Sequence, residues 1–191
     1  MPEDQLQRVF GVRKHHFRLH APVPGEYVDA YEKKYGFGFP EGYRHFIIEV
    51  ADGGAGPFYG LKQQFITTGA TLRHEMAMQY ASPSVYTCDC PNSQEWRERL
   101  LGPLYRELED ENEALYYQGT IPLFDVGCGS EGVLVLNGPR TGQVCITDYG
   151  FSPFEFTRPA EFLDMYESWQ EAVLDEAPSL AGASEGTSFG F

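Results

Sequence analysis

The chain has 191 residues, which corresponds to one domain at the usual size of about 100–200 residues. Hydrophobic residues make up 42% of it and aromatic residues 15%, so the chain has enough apolar surface for a packed core, and global disorder is excluded. The 14 Lys and Arg are outnumbered by 28 Asp and Glu. A net charge of −14 argues against direct nucleic-acid binding, which needs a basic face, and favours a basic protein partner.

The amino terminus and the cysteine content predict a cytoplasmic protein. No stretch approaches the roughly 20 apolar residues of a membrane span, and the start Met-Pro-Glu-Asp-Gln lacks the charged and apolar regions of a secretory signal. Four cysteines are too sparse for a disulfide scaffold. We expect no membrane contact, and a monomer or weak homodimer.

Three helices are predicted in the first quarter of the chain. Residues 3–16 have helical spacing of apolar side chains and are followed by a basic connector that reaches residue 22. The second helix has its stripe at Tyr27, Val28, Tyr31 and Tyr35, with Gly36 as its left-handed cap. The third helix begins at Pro40 and Glu41, and its buried stripe is Tyr43, Phe46, Ile47 and Val50.

The second half of the chain predicts strands. Alternating apolar residues at 121–126, 132–137 and 143–147, separated by glycine-rich turns, favour sequential antiparallel pairing. Thr157 and Pro159 have the residue types of a helix start, and Phe162, Tyr166 and Trp169 continue with helical spacing. We therefore predict a single α+β domain over residues 1–176 and a disordered tail over 177–191.

Metal and catalytic sites have weak support. Cys88 and Cys90 are separated by one residue, whereas zinc ligands in a pair usually have two to four residues between them. Cys128 lies in a predicted turn and Cys145 on a predicted buried strand. His15, like His16 and His20, is interpreted as a solvated basic residue, and no carboxylate stands in an apolar setting that would raise its pKa. We expect no metal, no cofactor and no enzymatic activity, although a Cys128 or Cys145 nucleophile stays an alternative.

The glycine-rich segment of residues 52–60 has two interpretations. It follows a helix and lacks a Lys-Ser/Thr pair, so it matches neither of the common phosphate-binding loops. We favour a tight structural loop that Pro57 and Tyr59 hold against the core. The alternative is a loop that contacts a partner, in which Phe58 and Tyr59 would be the anchors.

An acidic run lies at the far end of a long polar helix that we predict from Ser93, its N-cap, to Tyr117. Such a run is most often a solvated helix face. With a net charge of −14 it can instead dock a cationic protein, for example the basic cleft of a nuclease. The residues that would supply the charge are Glu107, Glu109, Asp110, Glu111 and Glu113.

Two separated blocks of residues resemble the SUKH superfamily of the Smi/Knr type. The first block reads Tyr31-x-x-x-Tyr35-Gly-Phe-x-Phe-Pro40-x-x-Tyr43-x-x-Phe46, then Asp52-Gly-Gly-Ala-Gly-Pro57-x-Tyr59-Gly-Leu61. The second reads Gly119-Thr-Ile-Pro-Leu123-x-x-x-Gly127-Cys-Gly, then Leu134-Val-Leu-Asn-Gly-Pro139, and closes on Phe162-Leu-x-x-Tyr166-x-x-Trp169. The resemblance covers residues 31–174 with gaps.

The resemblance implies an α+β fold with helices on an antiparallel sheet, and a role in binding rather than catalysis. Many bacterial members resemble immunity proteins that neutralise toxins, often nucleases, of polymorphic or contact-dependent systems, while fungal relatives are linked to cell-wall regulation as scaffolds. Cys145 departs from the pattern, because relatives often place a large aromatic there. The residues to which the resemblance assigns a structural role are Tyr35, Gly36, Pro40, Tyr43, Phe46, Gly53, Gly54, Gly56, Pro57, Gly60, Leu61, Pro122, Gly127, Cys128, Gly129, Gly138 and Trp169.

Overall fold

Four strands pair in chain order to form one antiparallel sheet in the computed structural model, which describes residues 9–65, 80–87, 117–148 and 154–179. The strands are β1 (Thr120–Gly127), β2 (Ser130–Val135), β3 (Gln143–Thr147) and β4 (Glu155–Glu161). The sequential pairing predicted for the first three strands is confirmed.

The described part of the chain also contains four helices. These are α1 (Val12–His15), α2 (Gly25–Tyr35), α3 (Glu41–Glu49) and α4 (Phe162–Ser179). The predicted α+β fold class is therefore confirmed. Gly36 caps α2 in the left-handed conformation, with φ of 71°, and Pro40 stands at the N-cap of α3, as the sequence indicates.

Apolar side chains cover both faces of the sheet. On one face Leu134 and Val144 join a cluster with α3 and α4, in which the rings of Tyr43 and Phe162 lie 4.9 Å apart. On the other face Cys145 packs with Tyr86, Phe154 and neighbouring strand residues. The alternation of β2 divides its side chains between these two clusters.

The first predicted helix is confirmed only at α1, which covers four of its eight described residues. Within residues 9–65 the only helical turn before α2 is α1, because Gly11 adopts φ of 78° and breaks the helix on its amino-terminal side. His16 and Phe17 also have positive φ and end the helix. Residues 1–8 lie outside the described residues.

The predicted start of the last helix is also wrong. Thr157 and Pro159 belong to β4, and α4 begins only at Phe162. The Thr157 hydroxyl lies 2.8 Å from the Pro159 carbonyl and 3.3 Å from the Val144 carbonyl, so it donates to backbone carbonyls and does not accept from a helix N–H as an N-cap would. At its other end α4 runs to Ser179, three residues into the segment predicted as a tail.

Two side chains expected on buried stripes are exposed. Tyr27 is 62% exposed, because Val28 beside it faces the core instead. Val50 is 43% exposed and forms the C-cap of α3, one residue beyond the last buried turn of the helix.

Candidate protein-binding face

The glycine-rich loop extends the sheet beyond the edge of β1. Single bridges link Phe124 to Leu61, Leu61 to Gly54, and Gly54 to Leu19. The Lys62 N–H donates to the Leu123 carbonyl at 2.6 Å, and Gly54 and Leu61 exchange two bonds at 2.7 and 2.8 Å. The two sequence blocks of the resemblance therefore meet at this edge.

Gly54 shows why the loop needs glycine. Its φ is 107°, and a Cβ built on it would lie 2.3 Å from the carbonyl oxygen of Arg18. No side chain fits between two backbones this close. The structural interpretation of the loop is thus supported, and the loop brings the basic connector against the sheet.

Phe58 and Tyr59, the two predicted anchors, differ in exposure. Phe58 is half-buried and stacks on the buried ring of Phe124, with 5.5 Å between centroids, so it belongs largely to the core. Tyr59 is 36% exposed, and its ring lies 5.1 Å from that of Phe10, which is 50% exposed. Phe10 and Tyr59 form the exposed aromatic pair of this face. The sequence did not predict Phe10 as an anchor.

An open groove of about 750 Å³ adjoins the aromatic pair. Tyr59 and the turn Gly127–Cys128–Gly129 both line the groove, and all three turn residues have positive φ. Lys62 and Glu131 form an ion pair within it, and the Asp125 carboxylate accepts a hydrogen bond from the Gly127 N–H at 2.8 Å. Cys128 is exposed in this turn and Cys145 is buried on β3, as predicted.

His15 lies beneath this face, contrary to its interpretation as a solvated residue. It is 8% exposed, because the loop at Gly60 and the indole of Trp169 close over it. Its Nδ1 accepts a hydrogen bond from the Phe17 N–H at 3.1 Å, and its buried Nε2 forms no hydrogen bond of normal geometry with another described residue. Burial lowers the pKa of His15 below the usual 6.5, although the Phe10 carbonyl opposes part of this.

Asp52 contradicts the expectation that no carboxylate has an apolar setting. It is 1% exposed, and burial raises the pKa of its carboxyl, although two hydrogen bonds oppose this. Those bonds come from the backbone N–H groups of Gln64 and Phe65 at 3.0 and 2.9 Å. Each carboxylate oxygen of Asp52 accepts one backbone hydrogen bond, so the side chain holds the start of the glycine-rich loop to the segment at Gln64 and Phe65.

The predicted acidic docking residues, Glu107, Glu109, Asp110, Glu111 and Glu113, lie outside the described residues. Within the described part a different acidic surface occurs, which we call the α4 stripe. It consists of the exposed side chains Asp164, Glu167, Glu171 and Asp175, which follow the helical spacing of three and four residues. The signal was present in the sequence, since no Lys or Arg follows Arg158.

The remaining residues of the resemblance lie in the core or in turns. Trp169, Tyr43, Phe46, Leu61 and Pro57 are buried, and Tyr35 packs against Tyr31 at 4.7 Å. Positions in the loop and the connecting turns are occupied by Gly53, Gly56, Gly60 and Gly138, and Pro122 lies within β1.

Cys88 and Cys90 fall outside the described ranges. Among residues 9–65, 80–87, 117–148 and 154–179, no three His, Cys, Asp or Glu side chains are grouped so that they could hold a metal ion. A helix with the length and hydrophobicity of a membrane span is likewise not found among the described residues.

Comparison of the chain with protein-family models, with curated proteins and with solved structures gives no match. The resemblance to the SUKH superfamily therefore stays a prediction that rests on the two sequence blocks.

Proposed function

We propose that this protein is a non-enzymatic binding domain that neutralises a cationic protein toxin, of the nuclease kind, by covering its basic cleft. The observation that carries the proposal is the exposed aromatic pair of Phe10 and Tyr59, whose backbone segments are held in place by hydrogen bonds. Aromatic side chains on a rigid support bind at low entropic cost and supply much of the affinity of protein interfaces.

Charge supports a cationic partner. The net charge of −14 gives a long-range field that speeds the approach of a basic protein, and the α4 stripe is an exposed part of its source. The four carboxylates of the α4 stripe form no ion pair with other described residues. Their field is therefore available to a partner.

The first experiment is capture of partners from native lysate on the purified protein, with elution by rising salt. The captured protein is then expressed alone and together with this chain. We expect one basic protein that is toxic alone and harmless in the pair. Capture of several endogenous envelope proteins without toxicity would refute the proposal and favour a scaffold in cell-wall synthesis.

The anchor is tested by a matched pair of variants. Tyr59→Ala should weaken binding of the captured toxin by about 2 kcal/mol, roughly 30-fold in Kd, the loss typical of a central aromatic anchor. Tyr27→Ala removes an equally aromatic and more exposed side chain from α2, and it should change Kd less than twofold. Equal effects of the two substitutions would show that the aromatic pair is not the anchor.

A further inference from the structure

Among the described residues, Leu19 is the outermost one of the extended sheet. Its neighbours make the bonds to the glycine-rich loop: the His20 N–H donates to the Gly53 carbonyl at 3.1 Å, and the Ala55 N–H donates to the Arg18 carbonyl at 2.8 Å. In an antiparallel pair with this pattern, the residue between the two bonds directs its own N–H and C=O away from the partner strand. The backbone groups of Leu19 therefore point outward.

These groups have no hydrogen bond with other described residues, and Ala21, two positions further, has none either. The Leu19 side chain is 45% exposed and Ala21 is also exposed. The open edge is short. It ends at Phe17, whose φ is 53°, and at Pro22, which has no N–H to donate. We call residues 18–21 the open edge.

The sequence segment that leads into the open edge is basic. Arg13, Lys14 and Arg18 are exposed and form no ion pair in the described part of the chain. Residues 9–25 contain no Asp or Glu, so the sequence nearby supplies no counter-charge. In a protein of net charge −14, this local excess of positive charge stands out.

Open strand edges attract further strands, and extended peptides use this mode of binding widely. We propose that the open edge takes up an extended acidic segment of a partner protein as an added strand. Main-chain bonds to Leu19 and Ala21 supply the fixed geometry, and Arg13, Lys14 and Arg18 select acidic side chains. The ligand proposed here is acidic whereas the proposed toxin is basic, so this inference goes beyond the proposed function.

The probe is a blocked seven-residue peptide that alternates Glu with Val, compared with its Lys–Val counterpart, on the uniformly 15N-labelled full chain. We expect saturable shifts centred on the amides of Leu19 and Ala21 with the Glu peptide only. Their exchange with water should slow at least tenfold at saturation. Absence of binding up to about 1 mM peptide would overturn the proposal, and so would amides already protected in the free protein, because the edge would then be covered.

Two controls separate strand addition from plain charge attraction. Two further Glu peptides are N-methylated at alternate residues, one at the odd positions and the other at the even positions. Both keep the charge, but each lacks half of the N–H groups that could form main-chain bonds. At least one of the two should bind at least tenfold more weakly than the parent peptide, and unchanged affinity of both would refute strand addition. Arg18→Glu should weaken the parent peptide at least fivefold, whereas Lys33→Glu, an equal charge reversal on exposed α2, should change Kd less than twofold. Equal losses would refute a local role of the cations.

Discussion

The close approach of the basic connector to the glycine-rich loop predicts a large cost for one added methyl group. In Gly54→Ala the new Cβ would meet the Arg18 carbonyl oxygen at 2.3 Å and the Leu19 Cα at 2.9 Å. Both contacts are with backbone atoms, so the clash can be relieved only if the basic connector and the glycine-rich loop move apart. Separation weakens the two bonds that flank the Leu19–Gly54 bridge, each worth about 0.5–1.5 kcal/mol, and the positive φ adds about 1–2 kcal/mol.

We expect Gly54→Ala to lower the free energy of unfolding by about 2–5 kcal/mol, which for a chain of this length corresponds to a fall in Tm of roughly 5–15 °C. Gly36→Ala is the matched control. It also replaces a glycine of positive φ, 71°, but a Cβ there meets no atom within 4 Å, so only the conformational strain of about 1–2 kcal/mol applies. Urea and thermal unfolding followed by circular dichroism measure both variants. Equal losses would refute the argument that close packing, rather than φ, determines the need for glycine at Gly54.

Three further substitutions test the elements under the candidate face. Asp52→Asn keeps the size but replaces one acceptor of a backbone N–H by a donor, and urea unfolding should show a loss of about 1–3 kcal/mol, with exposed Asp175→Asn as a neutral control. Burial favours the neutral form of His15 in the folded state, so stability should fall as pH drops below 6.5 towards the lowered pKa. His15→Phe should flatten that part of the stability profile, and an unchanged slope would contradict the assignment. Phe58→Ala should cost about 2–3 kcal/mol of stability through its stacking on Phe124, and a loss below 0.5 kcal/mol would show that its ring does not belong to the core.

The strands that were predicted from the sequence are those whose pattern is local. β2 and β3 alternate apolar side chains on either side of a short turn, and this is enough to specify their pairing. β4 was missed because Thr157 and Pro159 are typical of a helix start, and this local signal outweighed the turn-favouring residues Gly150 and Pro153 that precede the pairing of Phe156 with Cys145. Tertiary pairing overrode the local preference there.

The candidate face was predicted in part. The glycines of residues 52–60 indicated close backbone approach, and Tyr59 is exposed as an anchor must be. The burial of His15 and Asp52 could not be deduced, because their sequence neighbours are polar or small and the groups that cover them, Trp169 and the segment at Gln64, come from elsewhere in the chain. Local composition describes a residue's neighbours in sequence, whereas burial depends on its neighbours in space.

The net charge of −14 conceals two described surfaces of opposite sign. The α4 stripe exposes four carboxylates without a basic residue on its helix, while residues 13–18 expose three cations and contain no acidic residue. A partner bound through either surface would be weakened by salt, since screening acts on both signs alike. Salt dependence alone therefore cannot assign a captured partner to a surface. Reversal of charge at Glu171 and Asp175 together should slow association of a basic toxin and leave the acidic peptide unaffected, and Arg18→Glu should weaken the acidic peptide without slowing the toxin. If both ligands respond to the same substitution, they share one surface and the separation of the two proposals is wrong.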